Sequence, residues 1–181
     1  MLEKISNFIV GIVEGRDPDL AGHSRRIGDT TTRFGQHLGL SKEEETLLSI
    51  AGRIHDIGKL AISDHILNKP VKLTAAEFTL VKQHTVIGAR LVAPLDIDPR
   101  ISEIILYHHE NFDGTGYPKN SSGTDIPFLA RITRICDSFD ALTMDRPYHQ
   151  GVSSSKALEI LNREAQVFDP EYLREFCKML G

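Results

Sequence analysis

With only two cysteines in 181 residues, Cys136 and Cys177, and no CxxC spacing, the chain has no disulfide framework. Cys136 falls on the apolar side of an expected helix and reads as a buried core thiol, so neither cysteine is expected to do chemistry. Long apolar runs are missing too. Short ones such as Ile9-Val10 and Leu47-Leu48 are far below the roughly 20 residues that cross a bilayer, and no charged start leads into an apolar signal segment. The expectation is a cytoplasmic protein with no membrane segment. There is no basic excess either: a net charge of -4 and a pI near 6.0 argue against a nucleic-acid partner, so an anionic substrate would need a local positive site. Strand-like alternation, internal repeats, low-complexity tracts and composition shifts are all absent.

What the chain has is helical periodicity. At 181 residues with 40% hydrophobic and 25% charged residues, it has the size and composition of one globular domain with a core. Leu2, Ile5, Phe8, Ile9, Ile12 and Val13 fall at the spacing of one helical stripe. A second helix, from about Leu20 to Leu38, carries Ile27, Thr31, Phe34 and Leu38 and stops at Gly39. Ser41 with Glu44 is a capping box for a helix whose Leu47, Leu48, Ala51 and Ile54 face inward and which delivers His55 and Asp56 at its end. Further starts fall at Thr74 with Glu77, Asp98-Pro99, Pro127 and Asp169-Pro170, and the last two helices lie near 152–164 and 170–180. The total is about nine helices, with one long Gly- and Ser-rich loop at 111–125.

The chemistry is concentrated in two runs, His55-Asp56-Ile57-Gly58-Lys59 and His108-His109-Glu110-Asn111-Phe112-Asp113-Gly114-Thr115-Gly116-Tyr117-Pro118. Imidazole nitrogens and carboxylate oxygens suit divalent metals. With His23, His84 and Asp137 they supply enough ligands for two metals sharing an activated water, one route to phosphodiester attack. Taken alone, the His-Asp pair reads as a capping aspartate beside a partly exposed histidine. Gly58, placed to end the helix, and Lys59, placed where a phosphate oxygen would lie, raise its standing. His108 and His109 follow Ile104 and Ile105 by one turn, so both extend a core face, where unpaired imidazoles are costly. Glu110 and Asp113 are expected to orient the imidazoles or the loop. Asp137 and Asp140 share a helix with Arg131 and Arg134, and each by itself reads as a solvated or salt-bridged carboxylate. His23 and His84 are ordinary singly; only the full set points to a metal centre.

In order along the chain, His23 with Arg26, His55-Asp56-Ile57-Gly58-Lys59, Ile66-Leu67-Asn68-Lys69-Pro70, His84, His108-His109-Glu110, Asp113-Gly114-Thr115-Gly116-Tyr117-Pro118, and Asp137 to Leu142 with Arg146-Pro147-Tyr148 resemble the HD-GYP family. These are cyclic di-GMP phosphodiesterases of the HD superfamily. The resemblance implies an all-α helical bundle of the HD-domain type with a long GYP loop. It implies one domain over residues 1–181: a connector helix at 1–14, a catalytic core at 15–170 and a packing helix at 171–181.

By the same resemblance His55, Asp56, His84, His108, His109 and Asp137 are metal ligands, with Asp56 bridging, while His23 supports the site or binds a further metal. Lys59 would contact the scissile phosphate, Tyr117 would shape the loop beside the substrate, and Arg146 would meet a phosphate or guanine. Two departures stand out. Asp19 holds the place of a glutamate expected for a third metal, and His149 follows Tyr148 where a basic residue is common. His37, His65 and His149 are left as surface residues.

The expected cofactors are two divalent ions, or three if Asp19 reaches, with iron or manganese first and zinc or nickel as alternatives. The expected reaction is hydrolysis of cyclic di-GMP to linear pGpG, with GMP as a further product, by a metal-bridging hydroxide. Cyclic GMP-AMP on the same site, or a module that binds a dinucleotide or protein without cleaving it, are the rivals. An upstream sensory or receiver domain, or a diguanylate cyclase, is the implied partner.

Overall fold

The computed structural model describes residues 2–16, 18–145 and 150–181; side chains at 2, 3, 14, 16 and 18–21 lie outside the description. The described residues form ten α-helices and no strand: α1 (Leu2–Arg16), α2 (Pro18–His37), α3 (Lys42–Ile54), α4 (Asp64–Leu67), α5 (Ala75–Lys82), α6 (His84–Val92), α7 (Pro99–Tyr107), α8 (Phe128–Thr143), α9 (Ser154–Arg163) and α10 (Pro170–Leu180). Short 3₁₀ turns, including Ile57–Ala61, join them. Among the described residues no helix is long and apolar enough to cross a membrane.

The caps expected from sequence are present. Ser41 and Glu44 bond reciprocally at the start of α3, Thr74 and Glu77 do so at α5, and Asp98 and Asp169 cap α7 and α10. The core is built where the expected stripes meet. Ile27, Thr31 and Phe34 of α2 and Leu47, Leu48, Ala51 and Ile54 of α3 are buried, and Ile101, Ile104 and Ile105 of α7 have no exposed surface. Phe176 of α10 meets Phe34 and Phe139 edge-on at 5.0 and 5.3 Å, locking α10 across α2 and α8. Cys136 is buried among these residues, as expected.

Two expectations are corrected. In α1 the inward face is Ser6, Ile9, Val10 and Val13, whereas Phe8 and Ile12 are 69% and 46% exposed. The six apolar positions span too wide an arc for one contact, and α2 and α3 cover only the Ile9/Val13 side. Gly58 does not terminate α3. That helix ends at Ile54 with His55 still right-handed, and Gly58 lies inside the following 3₁₀ turn. Its smallness serves packing: a Cβ there would sit 1.9 Å from the His84 carbonyl oxygen and 2.6 Å from the Gly88 nitrogen. The turn that carries Asp56 therefore lies backbone to backbone against the start of α6.

Candidate metal centre

Each expected ligand sits at a point the fold holds firmly. His55 and Asp56 directly follow α3, His84 opens α6, His108 and His109 directly follow α7, His23 lies within α2, and Asp137 lies on α8 with Asp140 one turn on. The structure brings seven of them together. Asp56, His84, His108 and His109 form one group of donor atoms within 4.8 Å of each other, and His23, His55 and Asp56 form a second, so Asp56 belongs to both. Asp137 joins them, 3.3 Å from His23, 4.0 Å from His55 Nε2 and 4.0 Å from His109 Nδ1.

The ring orientations follow from backbone chemistry. The Nδ1 atoms of His55, His84 and His108 lie 2.8, 2.6 and 2.8 Å from the carbonyl oxygens of Gly52, Val81 and Ile105, each three residues earlier. A carbonyl only accepts, so each Nδ1 carries a proton, and the lone pair each ring could offer a metal is that of the Nε2 it turns inward. Among the described residues those lone pairs face other acceptors. His84 and His108 oppose Nε2 atoms at 3.4 Å, Asp56 Oδ1 lies 3.2 Å from His84 Nε2, and His55 Nε2 and Asp56 Oδ1 are buried without a hydrogen-bond partner. Acceptors packed against acceptors repel unless a cation lies among them, so the donor set fits divalent metal.

The protonation states agree. Burial, with the neighbouring His109, His55 and His84, holds His108 well below the usual histidine range, and burial lowers His109 to about 3. Burial would raise the carboxyls, but Lys59 and His55 hold Asp56, and His23 holds Asp137, well below the ordinary range. Neutral imidazoles and ionised carboxylates are the forms that ligate. His23 differs. Burial works against its charge, yet Asp137, Asp140 and Asp56 outweigh it and raise the pKa to about 9. Its Nδ1 lies 2.6 Å from Asp140 Oδ2, and Arg26 Nε donates to the other Asp140 oxygen at 2.6 Å.

Asp140 is thus the member that reasoning from sequence missed. Of its two expected states it takes the salt-bridged one, buried against His23 and Arg26, while Arg131 turns to Asp169 at 2.5 Å and Arg134 donates to Asn111 and Ser138. Its signal was available: Asp140 follows Asp137 by one turn as Arg26 follows His23. Removing such an outer partner typically costs 10–100-fold in metal affinity. Asp140→Ala should accordingly weaken manganese binding by about that factor, measured by titration, while Asp140→Asn recovers part of it.

Lys59 Nζ donates to Asp56 Oδ2 at 2.6 Å, and both residues line a cavity of 1020 Å³ together with His23, His109 and Asp137 of the donor cluster. Ligand sites commonly span roughly 300–1,000 Å³, so this one is large. Tyr117 also lines it, its ring tilted against His109 at 4.8 Å. The GYP loop holds that ring by folding onto the end of α7: Tyr117 N donates to His109 O, and Gly116 lies so close that a Cβ would meet Asn111 N at 2.2 Å. Glu110 and Asp113 serve the loop, not the imidazoles. Glu110 accepts from Lys119 N at 2.5 Å, and Asp113 accepts from Thr115. His37 and His65 are exposed, the former 3.5 Å from Glu175. Arg146 and His149 lie outside the described residues, as does the side chain of Asp19.

The HD domain family profile matches residues 8–172. A Pseudomonas aeruginosa protein named cyclic di-GMP phosphodiesterase PA4108 is 43% identical over 133 residues, 73% of this chain and 32% of its own length. A Vibrio cholerae protein named 3'3'-cGAMP-specific phosphodiesterase 3 is 36% identical over 99% of this chain and 39% of its own length. The crystal structure of a V. cholerae cyclic GMP-AMP phosphodiesterase superposes with a TM-score of 0.63 at 30% identity, covering 99% of this chain and 41% of that one. The chain therefore spans well under half the length of these relatives. Matched over most of its length and carrying both the His55-Asp56 and the Gly116-Tyr117-Pro118 runs, the chain belongs to the HD domain family, in its HD-GYP branch.

Proposed function

We propose that this chain is the catalytic unit of a cytoplasmic phosphodiesterase that hydrolyses cyclic di-GMP to linear pGpG and then to GMP. The observation that carries the proposal is the pair of donor groups sharing Asp56, with unsatisfied acceptors, bordering a cavity large enough for a dinucleotide. His55, His84, His108, His109, Asp56 and Asp137 would hold two divalent cations, with iron or manganese the first candidates and zinc or nickel also accepted by these nitrogen and oxygen donors, and His23 would complete or support the set. Such cations supply Lewis-acid polarisation of the phosphodiester and acidification of a water.

The chain's own residues do the rest. Lys59, beside Asp56 on the cavity wall, offers its ammonium to a non-bridging phosphate oxygen. Burial and the charges of Asp56 and Asp137 push the Tyr117 phenol up, so it stays protonated and can donate a hydrogen bond to substrate. Arg134, steadied by Asn111 and Ser138, adds positive charge facing the cavity. Arg146 belongs to the same proposal as a phosphate or guanine contact, and regulation by a sensory or receiver domain, or supply by a diguanylate cyclase, would complete it.

Protein purified anaerobically and loaded with Fe(II) or Mn(II) should convert cyclic di-GMP to pGpG and then GMP, followed by chromatography and mass spectrometry. Tight binding with no product over hours would instead identify a binding module. Cyclic GMP-AMP is a second candidate substrate, favoured by the V. cholerae relative that aligns over 99% of this chain. Side-by-side turnover of the two dinucleotides separates them.

A further inference from the structure

Phe78 has no packing role that accounts for it. It lies on α5, a helix with no buried residue, and its side chain is 46% exposed, yet it lines the cavity above the metal cluster. It is also the outermost member of a row of rings. His109 contacts Tyr117 at 4.8 Å, and Tyr117 meets Phe78 edge-on at 6.4 Å. Lys82 bridges the outer two, its ammonium 4.9 Å from the Phe78 centroid and 5.1 Å from that of Tyr117. A cation held against both rings fixes their relative position and favours their π faces.

We infer that Phe78 is a base-stacking residue that takes the face of one purine of the substrate. It stands two ring contacts out from His109, at 4.8 and 6.4 Å, so its ring is set apart from the donor cluster within one cavity, as a base is set apart from its phosphate by the ribose. Asn68 and Arg134 line the same cavity and carry groups able to hydrogen-bond a base edge. The apolar alternative, a face for a protein partner, is disfavoured because this cavity is shared with Lys59, Asp56, Asp137, His23 and His109. The inference rests on the phosphodiesterase proposal for its substrate, but one arm of its test, the emission of an introduced tryptophan, does not depend on turnover.

Stacking of a base on an aromatic side chain is worth roughly 5- to 150-fold on alanine substitution. In the metal-loaded protein, Phe78→Ala should raise the KM for cyclic di-GMP about tenfold and lower kcat far less, Phe78→Trp should restore KM, and Phe78→Leu should not. Because the chain has no tryptophan, Phe78→Trp also introduces a unique indole. Its emission should be quenched saturably by 5′-GMP and unaffected by ribose 5-phosphate, which has the sugar and phosphate without the base. Rescue by leucine equal to that by tryptophan, or equal response to the two phosphates, overturns the stacking role. Quenching by GMP in a protein that cleaves no cyclic dinucleotide leaves stacking intact and removes the hydrolase proposal; turnover with no quenching does the reverse.

Discussion

Asp56→Asn is expected to lower bound divalent metal sharply and to reduce phosphodiester turnover by roughly 10³-fold, with the helical fold retained. The substitution is isosteric, and it removes the one carboxylate common to both donor groups. Loss at either group alone would leave the other with its histidines. Here both lose the carboxylate they share, leaving Asp137 as the remaining anionic donor, and Lys59 loses the carboxylate that now accepts from it at 2.6 Å. Metal content by elemental analysis, turnover with added Mn(II), and circular dichroism test this together. Full metal occupancy with full activity would show that Asp56 is only the lysine's counter-ion.

The second large effect should come from a residue with no functional group. Gly58→Ala places a methyl 1.9 Å from the His84 carbonyl oxygen, an overlap with backbone on both sides that no rotamer relieves. The 3₁₀ turn and α6 must separate, at about 3 kcal/mol, or a fall in Tm of roughly 6–12 °C for a chain of this size. Because Asp56 and His84 ride on the two separating segments, metal affinity should fall along with stability. Calorimetry and manganese titration on one preparation test both. An unchanged Tm would mean that the turn yields without disturbing α6.

Adjacency made half of the centre legible. His55-Asp56 and His108-His109 each put two donors at one helix end, and the isoleucines one turn before His108 and His109 marked that face as core. The capping boxes at Ser41 and Thr74 were equally plain, since the partner of each cap is three residues away. What was not legible depended on distant choices. Asp140 read as a solvated or salt-bridged carboxylate with Arg131 and Arg134 near it, but its partners, His23 and Arg26, lie 117 and 114 residues away. Gly58 read as a helix stop because the backbone it touches, at His84 and Gly88, is remote in sequence. In α1, six apolar positions could not say which of them would find α2 and α3. Phe78 carries no pattern at all, and only its place on the cavity wall gives it meaning.

His55, His84 and His108 are each clamped at Nδ1 by a carbonyl of their own chain three residues back rather than by a side chain. The grip on a cation is therefore only as durable as the last turns that supply those carbonyls. Warming that loosens these turns would let the ions escape while the hydrophobic interior still holds, so the domain should fall silent before it melts.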